Sequence, residues 1–366
     1  MAVHTGIARY LKGIYANIRP DEAEVAYVLP GSVRARPPTG AARGSKLDAL
    51  LSLHPRFVYL MRCLQWTAYE CYLSRAARLR GVDVVHESFY TPVRLRGAAR
   101  QVFTLHDLSL VKYPRTHSLD RRLFFDRYFH SRLAEADQII VPSRFIAEEL
   151  LDYAGLDESR VSVIHEGVGE CFFQRSGEQV AGALARYGLP PRYMLFVGTL
   201  EPRKNLPVLL RAMARTRTDL PLVVVGWGGW GDPGFQEELQ RLRLRDRVFL
   251  PGYLDDETLA ALYSGATAFV YPSLYEGFGL PALEAMACGC PVLCSGVASL
   301  PEVAGGAALL AEPGDPEQWA HNMDAIAYNT ELRGQLVRAG RERASCFSWR
   351  RAAEETLGLF HRVAAR

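Results

Sequence analysis

Short β-branched runs, several of them near-continuously apolar, recur along the chain, separated by stretches with helical spacing. The runs are Val82–His86, Gln101–Leu105, Gln138–Val141, Val161–Ile164, Tyr193–Val197, Leu222–Val225, Arg247–Leu250, Ala268–Tyr271 and Pro291–Cys294. Several are apolar at successive positions and do not alternate, as in strands covered on both faces. Between them Leu119–Ala134, Ser143–Leu151, Leu206–Arg215 and Asp255–Ser264 read as helices. Strand–helix alternation predicts parallel, doubly wound sheets. Two such series are present. The first ends near Glu170, the polar stretch Gln174–Glu178 follows, and the second opens at Tyr193. The pattern predicts an α/β protein of two Rossmann-like domains, residues 1–175 and 176–345, with an interdomain cleft. A last helix within 346–366, after Phe347-Ser348-Trp349, is expected to cross back to the first domain. Residues 31–56, rich in Gly, Pro, Arg and Ala, read as a long surface loop. In sheets of this kind ligands gather at the carboxyl ends of the strands.

Composition narrows the class without changing the fold. With 49% apolar and 23% charged residues, the chain is globular and not disordered. No run of 18 apolar residues occurs and the amino terminus lacks a signal-peptide pattern, so a cytoplasmic protein is expected. Seven scattered cysteines, an odd number, fit reduced thiols. Cys288, Cys290 and Cys294 cluster, but the spacing is not a zinc pattern, and small side chains beneath a helix are expected there. Charge is uneven: residues 1–100 hold 15 Lys and Arg against 7 Asp and Glu, the remainder 28 against 33. A basic first lobe suits anionic lipid head groups or a phosphorylated acceptor, or is simply a solvated surface.

Two segments carry chemistry. In Glu276-Gly277-Phe278-Gly279-Leu280-Pro281-Ala282-Leu283-Glu284, Pro281 suits the first turn of a helix, and the residues before it then offer free N–H groups at a positive helix end. Gly277 and Gly279 allow close approach of backbone to a ligand, such as a diphosphate. Glu276 in the loop and Glu284 one turn into the helix can accept sugar or ribose hydroxyls. In Val197-Gly198-Thr199-Leu200-Glu201-Pro202-Arg203-Lys204-Asn205, Gly198 permits a tight turn and two adjacent cations end a parallel strand. Such cations stabilise the charge that builds on a departing phosphate. The run Gly226–Gly231 fits the dinucleotide pattern G-x-G-x-x-G. It is followed by Asp232-Pro233-Gly234 and not directly by a helix, and the next strand ends in Pro251-Gly252 and not in an acid, which argues against an oxidoreductase. No D-x-D occurs, which disfavours metal-dependent nucleotide-sugar chemistry.

Taken together, these segments resemble the signature of retaining GT-B glycosyltransferases of the group 1, family four type. The spacing from Glu276 to Glu284 matches, as do Gly252-Tyr253, Pro272-Ser273 and the pairing of Ile140–Ser143 with His165–Val168. The resemblance implies that Arg203 and Lys204 bind a donor diphosphate, Glu284 the nucleotide ribose and Glu276 the transferred sugar, helped by the amides of Phe278, Gly279 and Leu280. It implies that His106 faces the donor sugar, and that Gly6 in Thr5–Tyr10 belongs to a loop whose backbone approaches phosphate and acceptor. Gly198, Gly252 and Tyr253 fall on the donor side. The implied partners are a nucleotide diphosphate sugar and a glycan or lipid-linked acceptor, with peripheral contact to an anionic membrane, no nucleic acid, no cofactor and no metal. Resemblance to mannosyltransferases of polysaccharide assembly points to GDP-mannose, with UDP-glucose open. A non-catalytic nucleotide-sugar binder and a GT-B epimerase are the alternatives. This sequence departs from the family at Thr199, where Arg is common, and at His165-Glu166, where Pro-Asn is more usual. The glycine loop begins five residues from Met1, without the family's preceding strand, so a start upstream of Met1 is expected.

Overall fold

The computed structural model describes residues 6–29, 32–34, 55–226 and 233–366. The chain forms two compact units, residues 1–167 with 349–366, and residues 168–348. The division thus falls just before the polar stretch on which the sequence boundary was placed. The last helix, Trp349–Ala364, belongs to the first unit.

In the first unit, β1 (Tyr27–Leu29) pairs antiparallel with β2 (Ser32–Arg34). Both lay outside the expected strands, and β2 falls within the expected loop 31–56. That reading is corrected at Ser32–Arg34 and again at Pro55, where a helix running to Arg80 begins; residues 35–54 lie outside the described part. A parallel sheet follows in the order β3 (Val84–Ser88), β4 (Arg100–Thr104), β5 (Gln138–Val141), β6 (Val161–Val163). Val102, Phe103, Ile139, Ile140 and Val141 are fully buried, as expected of strands covered on both faces. Helix Trp349–Ala364 packs on helix Gly6–Ala16 so closely that a Cβ on Gly13 would lie 2.2 Å from the Trp349 ring. Arg350 adds bonds to Asn17 O at 3.0 Å and Glu22 at 2.9 Å.

The second unit holds six parallel strands: β7 (Met194–Val197), β8 (Leu222–Val225), β9 (Val248–Gly252), β10 (Ala268–Tyr271), β11 (Val292–Ser295) and β12 (Leu309–Ala311). Their order across the sheet is β12-β11-β10-β7-β8-β9. This is a doubly wound arrangement in which β7 and β10 lie side by side where the strand order reverses, the place where such sheets bind ligands. Leu195, Phe196, Val223, Phe269, Val270, Val292 and Leu293 form its buried core. Three glycines close the carboxyl ends of β7, β8 and β9: Gly198 N donates to Val225 O and Gly226 N to Gly252 O. A Cβ on Gly226 would stand 1.9 Å from Gly198 O, so no side chain fits there. Of the run Gly226–Gly231, only Gly226 lies within the described residues.

Candidate active site

The loop after β7 and the loop after β10 meet at the reversal point, and their charged side chains interlock. Glu276 Oε1 accepts from Lys204 Nζ at 2.6 Å and from the Tyr271 hydroxyl at 2.7 Å, and its Oε2 is 3.3 Å from Arg203 Nη1. Lys204 Nζ also donates to the Tyr271 hydroxyl at 3.1 Å. Arg203 reaches Tyr275 O at 2.5 Å and Glu201 Oε1 at 2.6 Å. The two loops are further tied by Leu274 N to Arg203 O and by Asn205 Nδ2 to Pro272 O. Lys204, Tyr271 and Glu276 are all buried. Burial alone would raise the Glu276 carboxyl, but the charges of Lys204 and Arg203 outweigh it and hold the group at about 2.

Arg203 and Lys204 lie together at a strand end, and Glu201 and Glu276 face them, so that the four charges cancel.

The helix Leu280–Ala287 starts as Pro281 predicts, with Gly279 as its cap at φ 108°, a conformation that favours glycine. The Ser299 hydroxyl lies 2.9 Å from the carbonyls of both Glu276 and Phe278, bracing the loop before that helix. Phe278 is buried edge-on against Phe347, and Leu280 is buried at the first turn. Glu284 is buried, with the Tyr263 hydroxyl 3.3 Å from its Oε2. Gly252 ends β9 and Tyr253 after it is half exposed. His106 and Gly6 belong to the first unit, His106 two residues past β4 and Gly6 at the start of the first helix. Both His106 nitrogens are engaged, Nε2 with Ser88 Oγ at 2.7 Å and Nδ1 with Glu166 Oε1 at 3.2 Å. Among the described residues no cluster of three His, Cys, Asp or Glu is arranged to hold a metal, and Cys288, Cys290 and Cys294 are buried thiols.

Sequence reasoning missed Glu201, Tyr271 and Ser299 in the second unit, and Ser88 and Glu166 as partners of His106. Glu166 had been noted only as a departure from the family pattern. Tyr271 carried one signal, a hydroxyl at the last position of a buried strand, beside the loop that holds Glu276.

Two parallel-sheet α/β units with a charged cluster at the strand-order reversal define a GT-B glycosyltransferase. Residues 187–343 match the profile of the glycosyl transferases group 1, and residues 5–169 that of glycosyltransferase family 4. The chain belongs to this family. It is 35% identical to the O-antigen chain mannosyltransferase B of Escherichia coli over 278 residues, 75% of this chain and 72% of that one. It is 31% identical to a D-inositol 3-phosphate glycosyltransferase of Salinispora tropica over 335 residues, 82% of this chain and 69% of that one. Among solved structures, the sucrose-phosphate synthase of Thermosynechococcus elongatus superposes with a TM-score of 0.67 at 26% identity, over 94% of this chain and 87% of the other. The Anabaena HepE protein, solved with UDP and glucose, shares the fold at a TM-score of 0.66 and 18% identity, over 81% and 82%. No described helix is long and apolar enough to cross a membrane.

Proposed function

We propose that the chain is a retaining, metal-independent hexosyltransferase that moves mannose from GDP-mannose to a hydroxyl of a polysaccharide or lipid-linked glycan. The observation that carries the reaction type is the Lys204–Glu276–Tyr271–Arg203 cluster at the strand-order reversal. The mannosyl donor rests on the 35% identity to an O-antigen chain mannosyltransferase. The donor diphosphate takes the place of Glu276 at Lys204, and the released carboxylate turns to the sugar hydroxyls. Glu284 holds the ribose, and the amides before helix Leu280–Ala287 assist at the phosphate. As the glycosidic bond breaks, Lys204 and Arg203 stabilise the leaving phosphate, which accepts the acceptor's proton on the same face. His106 serves the transferred sugar. The arginine-rich first hundred residues hold the chain at the cytoplasmic face of an anionic membrane.

The test is a panel of nucleotide sugars with a mannan-type acceptor, scored for transfer, donor hydrolysis and anomeric configuration, with and without a chelator. GDP-mannose is expected to be used with retention and without loss on chelation. Use of UDP-glucose alone, inversion, or a requirement for a divalent ion each overturns the matching part of the proposal. An epimerised sugar formed from donor alone, without acceptor, identifies an epimerase.

A further inference from the structure

The first unit gathers a second set of polar side chains at the carboxyl ends of its strands. Ser88 ends β3, His106 follows β4 and Glu166 follows β6. The side chain of Glu166 is 6% exposed and that of His106 19%. The Tyr10 ring packs edge-on against His106 at 4.9 Å, its hydroxyl 3.0 Å from Thr104 Oγ1, which is 2.7 Å from His86 Nε2. The His106 ring is therefore fixed in plane as well as bonded at both nitrogens.

The chemistry of the two partners assigns the proton. An ionised carboxylate only accepts, so Nδ1 beside Glu166 must donate. The neutral ring then carries no proton on Nε2, which accepts the Ser88 hydroxyl.

We infer that Glu166 is a positioning residue for His106: its buried carboxylate fixes the Nδ1–H tautomer and makes Nε2 the acceptor of the ring, held by Ser88 and open to exchange for a substrate hydroxyl. The effect on transfer rests on the proposed role of His106; the tautomer does not.

The test uses the full chain labelled with ¹⁵N at histidine, with His106 assigned by the signals missing in H106N. Long-range ¹H–¹⁵N spectra at neutral pH are expected to place the proton on Nδ1. In E166A the population moves to the Nε2–H form, and in the near-isosteric E166Q it moves part of the way. Under the same assay E166A lowers kcat by about 10- to 100-fold, the usual scale for losing a residue that orients a functional histidine, with donor KM within about twofold. E166D recovers part of that loss. A wild-type ring protonated on Nε2 overturns the inference, as does wild-type kcat in E166A where H106N has lost activity. Should E166A fail to fold, the wild-type and E166Q spectra decide the matter. A normal kcat in H106N overturns the proposed role of His106 and is distinguishable, because the wild-type spectrum still reports the tautomer.

Discussion

Replacing Glu276 with Gln removes one of the four charges that cancel between the loops after β7 and β10. In the folded chain this carboxyl is held at about 2, against its ordinary 4.5, by Lys204 at 2.6 Å and Arg203 at 3.3 Å despite its burial. At about 1.4 kcal/mol per pH unit, that gap is worth about 3 kcal/mol in favour of the ionised form in the folded state. The sign follows from a depressed carboxyl. The stability is fully present above the unfolded value of 4.5 and is lost as pH falls toward about 2. That gap already contains the cost of leaving Lys204 buried without its carboxylate. Urea unfolding of wild type and E276Q at pH 7, 4.5 and 3 is therefore expected to show a difference of about 3 kcal/mol at pH 7, roughly halved near pH 3. A difference that stays constant across this range, or a variant as stable as wild type at pH 7, would refute the charge coupling drawn here.

Lys204→Ala should lower kcat by about 100-fold with circular dichroism unchanged, the scale for losing one preorganised group that stabilises developing negative charge; near-normal turnover would remove Lys204 from the reaction. Gly226→Ala places a Cβ 1.9 Å from Gly198 O and should cost at least about 1–3 kcal/mol, visible as a lowered Tm, whereas an unchanged Tm would mean that the glycine contact is not needed. Gly13→Ala, whose Cβ would lie 2.2 Å from the Trp349 ring, should loosen the docking of the last helix and raise proteolytic cleavage there, and unaltered protection would count against that packing. Glu87, raised to about 7 chiefly by burial, titrates with the opposite sign to Glu276: its stability is present below 4.5 and lost as pH rises toward 7. Glu87→Gln should therefore gain thermal stability relative to wild type at pH 8 but not at pH 4, and a pH-independent difference would contradict this.

Much of the framework can be read from local pattern. Strands buried on both faces, such as Gln138–Val141, Leu222–Val225 and Ala268–Tyr271, declare themselves by near-continuous apolar runs, and the structure starts and stops them at those residues. Pro281 marks the start of its helix because the first turn needs no N–H there. The helix Pro55–Arg80 is harder to read. Leu60, Leu64 and Leu79 are exposed while Glu70 and Ser74 are buried, so its polar and apolar positions do not sort into faces. The strands β1, β2 and β12 have three residues each, too few to show a period.

The sequence by itself determined the class, since strand–helix alternation and the spacing of Glu276, Glu284, Arg203 and Lys204 are properties of the chain alone. The electrostatic state of the site was decided only in three dimensions. Glu276 and Tyr271 meet Lys204 and Arg203 because β10 pairs beside β7 although some seventy residues separate them, while Glu201 joins Arg203 from within the same loop. Charge cancellation depends on distances of a few ångströms between loops, and no periodicity along one strand or helix encodes that distance.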